Sequence, residues 1–277
     1  MPTTKHPPGL SQDQVDFFCE NGYLVVRQAI DPDTITTLRE ATARLQDHYA
    51  EARREPGVHY TSPSATRFEE MMDGSAAERG GGDAVLWRVD DLEPKMPEIA
   101  TLKSHPFPHL AMDALLGSKV VQYNESFVTK PPRIGQPVLW HQDPSFKKKS
   151  MPDPISTIDV YLDRADEDNG CLWVVPGSHK WGVVDAKAMM DEYGFDLPGA
   201  QPVRMDPGDV AFHDNGCLHG SKAIPSDRQR RILYLAFQTE RQARSTGQFA
   251  DDFINHRLKL WHRYREQALG TEARHSS

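Results

Sequence analysis

Eight short β-rich runs between residues 119 and 239, separated by Pro, Gly and Asp clusters, predict a mainly β protein with flanking α-helices. Eight runs of this kind suit a double-stranded β-helix, or jelly roll. Amphipathic patterns ahead of them and one behind supply the helices. A length of 277 residues fits a β barrel with helical additions, so one domain is expected over 1–277. N-terminal helices and a lid region would fill 1–118, the jelly-roll core 119–245, and a C-terminal helix and tail 246–277.

Ser11 as N-cap with Gln14 three residues on makes a capping box, and Val15, Phe17 and Phe18 give that first helix an apolar face. It should stop at Asn21-Gly22. Tyr23 to Val26 reads as a short strand. Asp31-Pro32-Asp33 then opens a second helix, running to His48, with Ile35, Leu38, Ala41 and Leu45 at helical spacing. Residues 51–83 turn to Arg, Glu, Pro, Gly and Ser, culminating in Gly80-Gly81-Gly82, and read as a long loop or lid. Residues 84–89 suggest a strand. Residues 94–117 suggest helical turns, with Ile99, Leu102, Leu110, Met112, Leu115 and Leu116 for packing, lying over the mouth of a site.

The β runs that follow are 119–129, 138–141, 155–162, 171–175, 201–205, 209–212, 218–219 and 230–239. Over 251–269, Phe253, Ile254, Leu258, Trp261 and Tyr264 make one apolar helical face that can close on the barrel. No internal repeat is present.

Composition narrows the function. The chain is 38% hydrophobic and 26% charged, as for an ordinary globular protein. Its net charge of −8 and pI near 5.8 argue against general affinity for nucleic acid or anionic membrane, both of which need a positive field. The first residues lack the apolar core of a signal peptide, and no run approaches the roughly 20 apolar residues of a membrane span. A cytoplasmic protein is expected, monomeric or homodimeric. Cys19, Cys171 and Cys217 have no paired spacing and read as small buried hydrophobes.

The chemistry concentrates in Val138-Leu-Trp-His141-Gln-Asp143. Successive strand side chains point to opposite faces, so His141 and Asp143 share a face and can grip one metal ion. A third ligand must come from elsewhere, and His219 is the best candidate, 219 − 143 = 76 residues downstream. His213 is its strongest rival, but Asn215-Gly216 inserts a turn after it. Two histidines and a carboxylate on one triangular face, with the opposite positions open, is the arrangement of non-haem Fe(II) oxygenases.

Several ordered motifs extend this pattern: Lys130-Pro-Pro, His141-Gln-Asp143, Asn169-Gly-Cys-Leu-Trp-Val-Val-Pro-Gly-Ser-His179, Pro207-Gly-Asp209, His219-Gly-Ser221 and Ser226-Asp-Arg-Gln-Arg230-Arg231. Together they resemble the phytanoyl-CoA dioxygenase family, Fe(II)- and 2-oxoglutarate-dependent oxygenases on a cupin-like jelly roll. The resemblance spans roughly 119–240 and continues weakly into the first two helices. It implies that His141, Asp143 and His219 bind iron, and that Arg230, aided by Ser221, binds the distal carboxylate of 2-oxoglutarate. The interval 230 − 219 = 11 is the family's own. A guanidinium fork matches a carboxylate, and a seryl hydroxyl adds a donor. By the same resemblance, Lys130 and Asn124 are candidate cosubstrate contacts.

Trp87, Arg88, Phe127, Lys147 and Trp173 are the candidate substrate contacts. The Asn169–His179 motif reads as structural, with Gly170, Pro176 and Gly177 shaping turns and His179 stabilising one. Arg228 and Arg231 read as solvated charges, and Lys147-Lys148-Lys149 as a solvated loop. One departure from the family is Ile224, where relatives often carry Asn; this bears on a loop hydrogen bond.

The expected activity is hydroxylation of an unactivated C–H bond of a small metabolite, consuming O2 and 2-oxoglutarate and releasing succinate and CO2. Related halogenases replace the carboxylate ligand with a small residue, and this chain keeps Asp143. Desaturation, epoxidation, cyclisation or demethylation with the same cofactors is the alternative. A zinc hydrolase leaves Arg230 and Ser221 without a task, and a non-catalytic binding barrel would be expected to lose part of the triad. Specificity should lie in the loops around 55–95, 144–155 and 180–200, pointing to a small soluble substrate, anionic or amine-bearing.

Overall fold

The computed structural model describes residues 9–50, 55–61, 85–133, 137–143, 156–223 and 226–270. Helix α1 (Gln12–Asn21) begins on the predicted capping box, with Ser11 and Gln14 satisfying each other's backbone N–H, and stops at Gly22 in the left-handed region. Strand β1 (Tyr23–Val26) leads to α2 (Pro32–His48), where the Asp31 carboxylate accepts from the Asp33 and Thr34 N–H groups. The link between them is fixed by Asp209 of the Pro-Gly-Asp motif. Its carboxylate accepts from Arg27 (2.6 Å), Gln28 N (2.8 Å) and Asp206 N (2.8 Å).

Two antiparallel sheets make the jelly roll. The larger has seven strands: β1, β2 (Val58–Thr61), β3 (Val85–Asp90), β4 (Val120–Lys130), β6 (Ser156–Tyr161), β9 (Val210–Asp214) and β11 (Arg230–Thr239). They lie in the order β1-β9-β6-β11-β4-β3-β2. The smaller has β5 (Val138–His141), β7 (Leu172–Val174), β8 (Gln201–Val203) and β10 (His219–Ser221), in the order β5-β10-β7-β8.

Register decides which residues of the large sheet face the small one. Asn124, Ala236, Thr157, His213 and Tyr23 form one cross-strand row; Ser126, Tyr234, Asp159 and Ala211 form the next. The intervening residues, among them Phe127, Leu233, Val160 and Val210, belong to the outer face.

Helices cover that outer face. Helices α3 (Leu92–Lys95), α4 (Ile99–Lys103) and α5 (Pro106–Leu116) put Leu92, Ile99, Leu102, Phe107 and Met112 into one buried core with α2 and the outer residues of the sheet. The expectation that 94–117 covers the mouth of the site is therefore corrected: the segment is apolar because it packs on the opposite side of the large sheet. Helix α8 (Asp251–Leu269) buries Ile254, Trp261 and Tyr264 against the same layer, while Phe253 stays exposed.

Three short elements were missed in the sequence. Strand β2 lies inside the expected 51–83 loop, and the described part of that loop pairs with β3. Helix α6 (Ala186–Tyr193) lies in the expected 180–200 loop; it is eight residues long and none of its residues is fully buried. Its Met189 and Met190 nevertheless cover Trp140 and Leu218 on the outside of the small sheet. Helix α7 (Glu240–Ser245) is capped by Thr239.

Two readings of single residues are also corrected. Cys171 and Cys217 are buried, but Cys19 is exposed on the polar side of α1. Arg231 is buried rather than solvated: it forks onto both oxygens of Asp163 and reaches the Arg39 carbonyl of α2, because strand alternation turns it toward the helical layer. Arg228 forks onto Asp166 at the surface. Among the described residues no helix is long and apolar enough to cross a membrane.

Candidate active site

Strands β5 and β10 are neighbours, and their register sets His141 directly opposite His219. The imidazole rings stand 4.2 Å apart. Each Nδ1 donates to a carbonyl two residues back, His141 to Leu139 and His219 to Cys217, both at 2.8 Å. These bonds fix the tautomer and leave both Nε2 atoms as electron-pair donors. Asp143 completes the group, its Oδ1 3.9 Å from His141 Nε2 and 4.0 Å from His219 Nε2. The three ligand atoms lie within 4.8 Å of one another, a set able to hold a metal ion.

The residues between these side chains explain how the strands come so close. A Cβ on Gly220 would sit 2.9 Å from the Val138 carbonyl, so the position after His219 must be bare for β10 to approach β5. Gln142 points the other way. Its amide donates to Gly182 O (2.8 Å) and Gly216 O (2.9 Å) and accepts from Val184 N (3.0 Å), locking the loops behind the ligands.

His213, set aside as a ligand in the sequence, sits beside the triad. Its Nδ1 is 2.9 Å from Asp159 Oδ2 and its Nε2 3.5 Å from Asp143 Oδ2, with Thr157 Oγ1 also within 2.7 Å of the ring. Burial works against protonation of this ring, but Asp159 and Asp143 outweigh it and raise its pKa. Burial pushes the Asp143 carboxyl up; the hydrogen bond from His213 and the charges of the three histidines outweigh it and hold Asp143 well below the usual carboxylate range. His219 is driven well below an ordinary histidine, first by burial and then by its histidine neighbours. A neutral imidazole at His219 and an ionised carboxylate at Asp143 are the protonation states that metal ligation needs.

On the same cavity, Arg230 is buried at the start of β11. One terminal nitrogen donates to the Gly170 carbonyl, while its Nε has no partner among the described residues. Among the described residues, Ser221 Oγ on the same wall and Tyr161 Oη, which is not on the wall, are likewise buried without partners. Buried polar groups are rarely left unpaired, and an unpaired guanidinium N–H and hydroxyl opening on one cavity fit a carboxylate ligand. Lys130 lies opposite Arg230 in the register, but its ammonium donates to the Lys222 carbonyl (2.8 Å) and it is not on the cavity wall. Burial, then the charge of Arg230, lowers its pKa far below a free lysine's.

The cavity holds about 320 Å³. Trp87, Arg88 and Asn124 line it with the triad, Arg230 and Ser221. A register irregularity between His59 and Tyr60 lets the adjacent Trp87 and Arg88 both reach it. Phe127 does not line it: strand alternation puts the ring in the outer core. Neither does Trp173, whose ring lies under the Lys222 ammonium at 4.4 Å while neighbouring Leu172 turns inward. Lys147, with its two following lysines, and Ile224 lie outside the described residues. Wall residues missed in the sequence include Tyr123, Thr157, His213, Asn215 and Gln248. For Thr157 and His213 the missing signal was cross-strand register, which pairs them directly.

The chain matches the family model described as "Phytanoyl-CoA dioxygenase (PhyH)" over residues 18–232. A similar curated protein is "Dioxygenase lolE1" of Epichloe uncinata, 26% identical over 252 residues, 91% of this chain and 90% of the relative. Another is "Phytanoyl-CoA dioxygenase 1" of Oryza sativa subsp. japonica, 26% identical over 83% of this chain and 90% of the relative. Among solved structures, EctD from S. alaskensis with 2-oxoglutarate and 5-hydroxyectoine superposes with a TM-score of 0.66 at 22% identity, covering 84% of this chain and 77% of that one. With a match over most of its length and a donor set that fits the cofactors, this chain belongs to the phytanoyl-CoA dioxygenase family and is an Fe(II)- and 2-oxoglutarate-dependent dioxygenase.

Proposed function

We propose that the enzyme hydroxylates an unactivated C–H bond of a small molecule, with His141, Asp143 and His219 holding Fe(II) and Arg230 and Ser221 holding the distal carboxylate of 2-oxoglutarate. The overall change balances as R–H + O2 + 2-oxoglutarate → R–OH + succinate + CO2. The observation that carries the reading is the opening of one cavity onto both the His-Asp-His set and Arg230, whose Nε has no partner among the described residues.

Iron with its cosubstrate supplies the O2-activating chemistry; the protein's residues bind, orient and shield. The carbonyl bonds at His141 and His219 aim the two Nε2 atoms before metal arrives. Arg230 and Ser221 anchor one end of the cosubstrate, which sets the reach of its keto acid end toward the triad. Leu172, Val128 and Ala236 make apolar stretches of the wall, where water is poorly held and a hydrocarbon segment is well received. Asp143 supports hydroxylation over halogenation, because a carboxylate already fills the position a halide would need.

The test is an anaerobic titration of metal-free protein with Fe(II) and then 2-oxoglutarate, following the visible charge-transfer band of a chelated keto acid. The band is expected in the wild type and absent in His219→Ala. In Arg230→Ala it should require roughly 100-fold more cosubstrate, as loss of a charge-assisted fork implies. A wild type that gives no band and instead binds Zn²⁺ tightly would overturn the proposal.

A further inference from the structure

We propose that Gln248, on the loop between α7 and α8, determines substrate specificity by hydrogen-bonding an uncharged group that carries a donor beside an acceptor, an amide or a pair of hydroxyls. This rests on the oxygenase reading above and names the substrate class of the same cavity. It departs from the anionic or amine-bearing substrate that the sequence suggested.

The cavity has two unlike ends. Arg230 lies opposite Lys130 and Arg88 opposite Val128, so both arginines of the wall stand where β11 begins and β4 ends. A further 236 − 230 = 6 residues along β11, roughly 20 Å of extended strand, Ala236 lies opposite Asn124. Here the register steps from the pair Ala236 and Asn124 to the pair Phe237 and Gln122, passing over Tyr123. Such a bulge re-aims a side chain, and the adjacent Tyr123 and Asn124 both line the cavity. Asn215 Nδ2 donates to Tyr123 Oη at 3.4 Å, and the Asn215 carbonyl accepts from the Asp143 N–H at 2.9 Å, so this end adjoins the triad.

Gln248 reaches this end from a loop that is fixed on both sides of it. Gly247 turns the chain in the left-handed region at φ 61°, and Phe249 packs between Tyr123 and Phe253, with ring centroids 5.7 and 4.8 Å away. The side chain between them is half-buried on the cavity wall. Its backbone N–H donates to Thr246 Oγ1 at 3.4 Å, while no described residue takes up its carboxamide. A carboxamide presents a donor and an acceptor side by side, so its full complement is a group with the same pair reversed. Among the described residues, the charged side chains of the wall besides histidines are Arg88, Arg230 and Asp143. Both arginines are at the far end and Asp143 is committed to the metal, while His213 is shared between Asp159 and Asp143. An anion or an ammonium brought to Gln248 would therefore be buried without a counter-ion, which is costly. An amide or a diol satisfies the carboxamide without that cost.

The probes for a test are 2-pyrrolidinone, its isostere cyclopentanone, which lacks the N–H, the cation pyrrolidinium, and 1,2-propanediol. They are titrated into anaerobic enzyme already loaded with Fe(II) and 2-oxoglutarate, and binding is read from perturbation of the charge-transfer band and by ligand-observed NMR. The wild type should bind 2-pyrrolidinone with millimolar Kd, cyclopentanone roughly tenfold more weakly, and pyrrolidinium not at all. Gln248→Leu should abolish the preference for 2-pyrrolidinone over cyclopentanone. Gln248→Glu should turn the preference toward pyrrolidinium, a gain that a merely structural residue would not give. Thermal melting of each variant reports its folding separately. A wild type that does not bind 2-pyrrolidinone, a preference that survives in Gln248→Leu, or a wild type that favours pyrrolidinium overturns the assignment. If 2-oxoglutarate gives no band with the wild type, the oxygenase reading has failed instead, and the NMR comparison of the same probes still decides the role of Gln248. The relative strength of 2-pyrrolidinone and 1,2-propanediol tells amide-bearing from hydroxyl-bearing substrates.

Discussion

His213 Nε2 stands 3.5 Å from the Oδ2 of Asp143, the oxygen turned away from the two ligand histidines, while Asp159 holds the other side of the ring at 2.9 Å. Asp143 follows the end of β5, and among the described residues its backbone is fixed there by its N–H bond to the Asn215 carbonyl. Its side chain therefore depends on His213 for orientation. Outer partners of metal ligands typically contribute 10- to 100-fold in affinity. His213→Phe should weaken Co(II) or Fe(II) binding by about that factor and change the visible spectrum of the Co(II) form. Unchanged affinity and spectrum would show that Asp143 needs no such support.

The cosubstrate subsite should respond in graded fashion. Ser221→Ala removes one neutral donor, whose contribution is about 1 kcal/mol, and should raise the Kd for 2-oxoglutarate roughly 5- to 10-fold. Arg230→Lys keeps the charge but loses the fork, and should lie much nearer to Arg230→Ala than to wild type. Isothermal titration of the metal-loaded variants ranks them. A lysine variant indistinguishable from wild type would remove the argument from fork geometry.

Stability should depend on a buried ion cluster behind the sheet. Lys103, fully buried on α4, pairs with Glu125 (2.6 Å) on β4 and Glu93 (3.0 Å) on α3, and Tyr264 of α8 donates to Glu93 at 2.7 Å. Lys103→Met strands the Glu125 carboxylate with Arg257 at 3.4 Å as its remaining cation, and breaking a buried pair this way costs about 3–5 kcal/mol. A Tm lower by roughly 10 °C is expected in a thermal melt. Replacing Lys103 and Glu125 together, by Met and Gln, should recover part of the loss.

Acid sensitivity should come in part from His109. Its ring lies 4.1 Å from that of Trp261 and its Nε2 donates to the Lys103 carbonyl, but burial pushes its pKa down from 6.5 to about 4. The unfolded chain thus binds this proton more readily than the folded one. Stability from the neutral ring is complete above pH 6.5 and is lost as the pH falls toward 4, by up to about 3 kcal/mol. His109→Gln should flatten that part of a urea-denaturation profile between pH 7 and 4. An unchanged slope would mean that another group carries it.

The sequence by itself determined the local structure and the inventory of chemistry. Capping at Ser11 and Asp31, the stop at Gly22, and the run of β11 are decided by bonds and torsions within a few residues, so they are legible in order along the chain. Period-two alternation put His141 and Asp143 on one face, and the ordered motifs added His219, Ser221 and Arg230, which the fold brings onto one cavity wall. Short segments were not legible: β2 is four residues long and α6 eight, too few for a period to stand out from the flanking loop.

Tertiary structure decided everything that depends on which strand lies beside which. His213 meets Asp143 because β9 pairs with β6 in a register that sets His213 beside Thr157, across the barrel from β5. Phe127 and Arg231 face the helices because alternation fixes only that neighbours differ, and the packed layers decide which side is inside. Trp87 and Arg88, neighbours in sequence, both open on the cavity because of a one-residue irregularity in the pairing of β2 with β3. A strand's period is written in its own residues. Its neighbours and the sense of its inner face are set by burial of apolar surface over the whole chain, which no single stretch encodes.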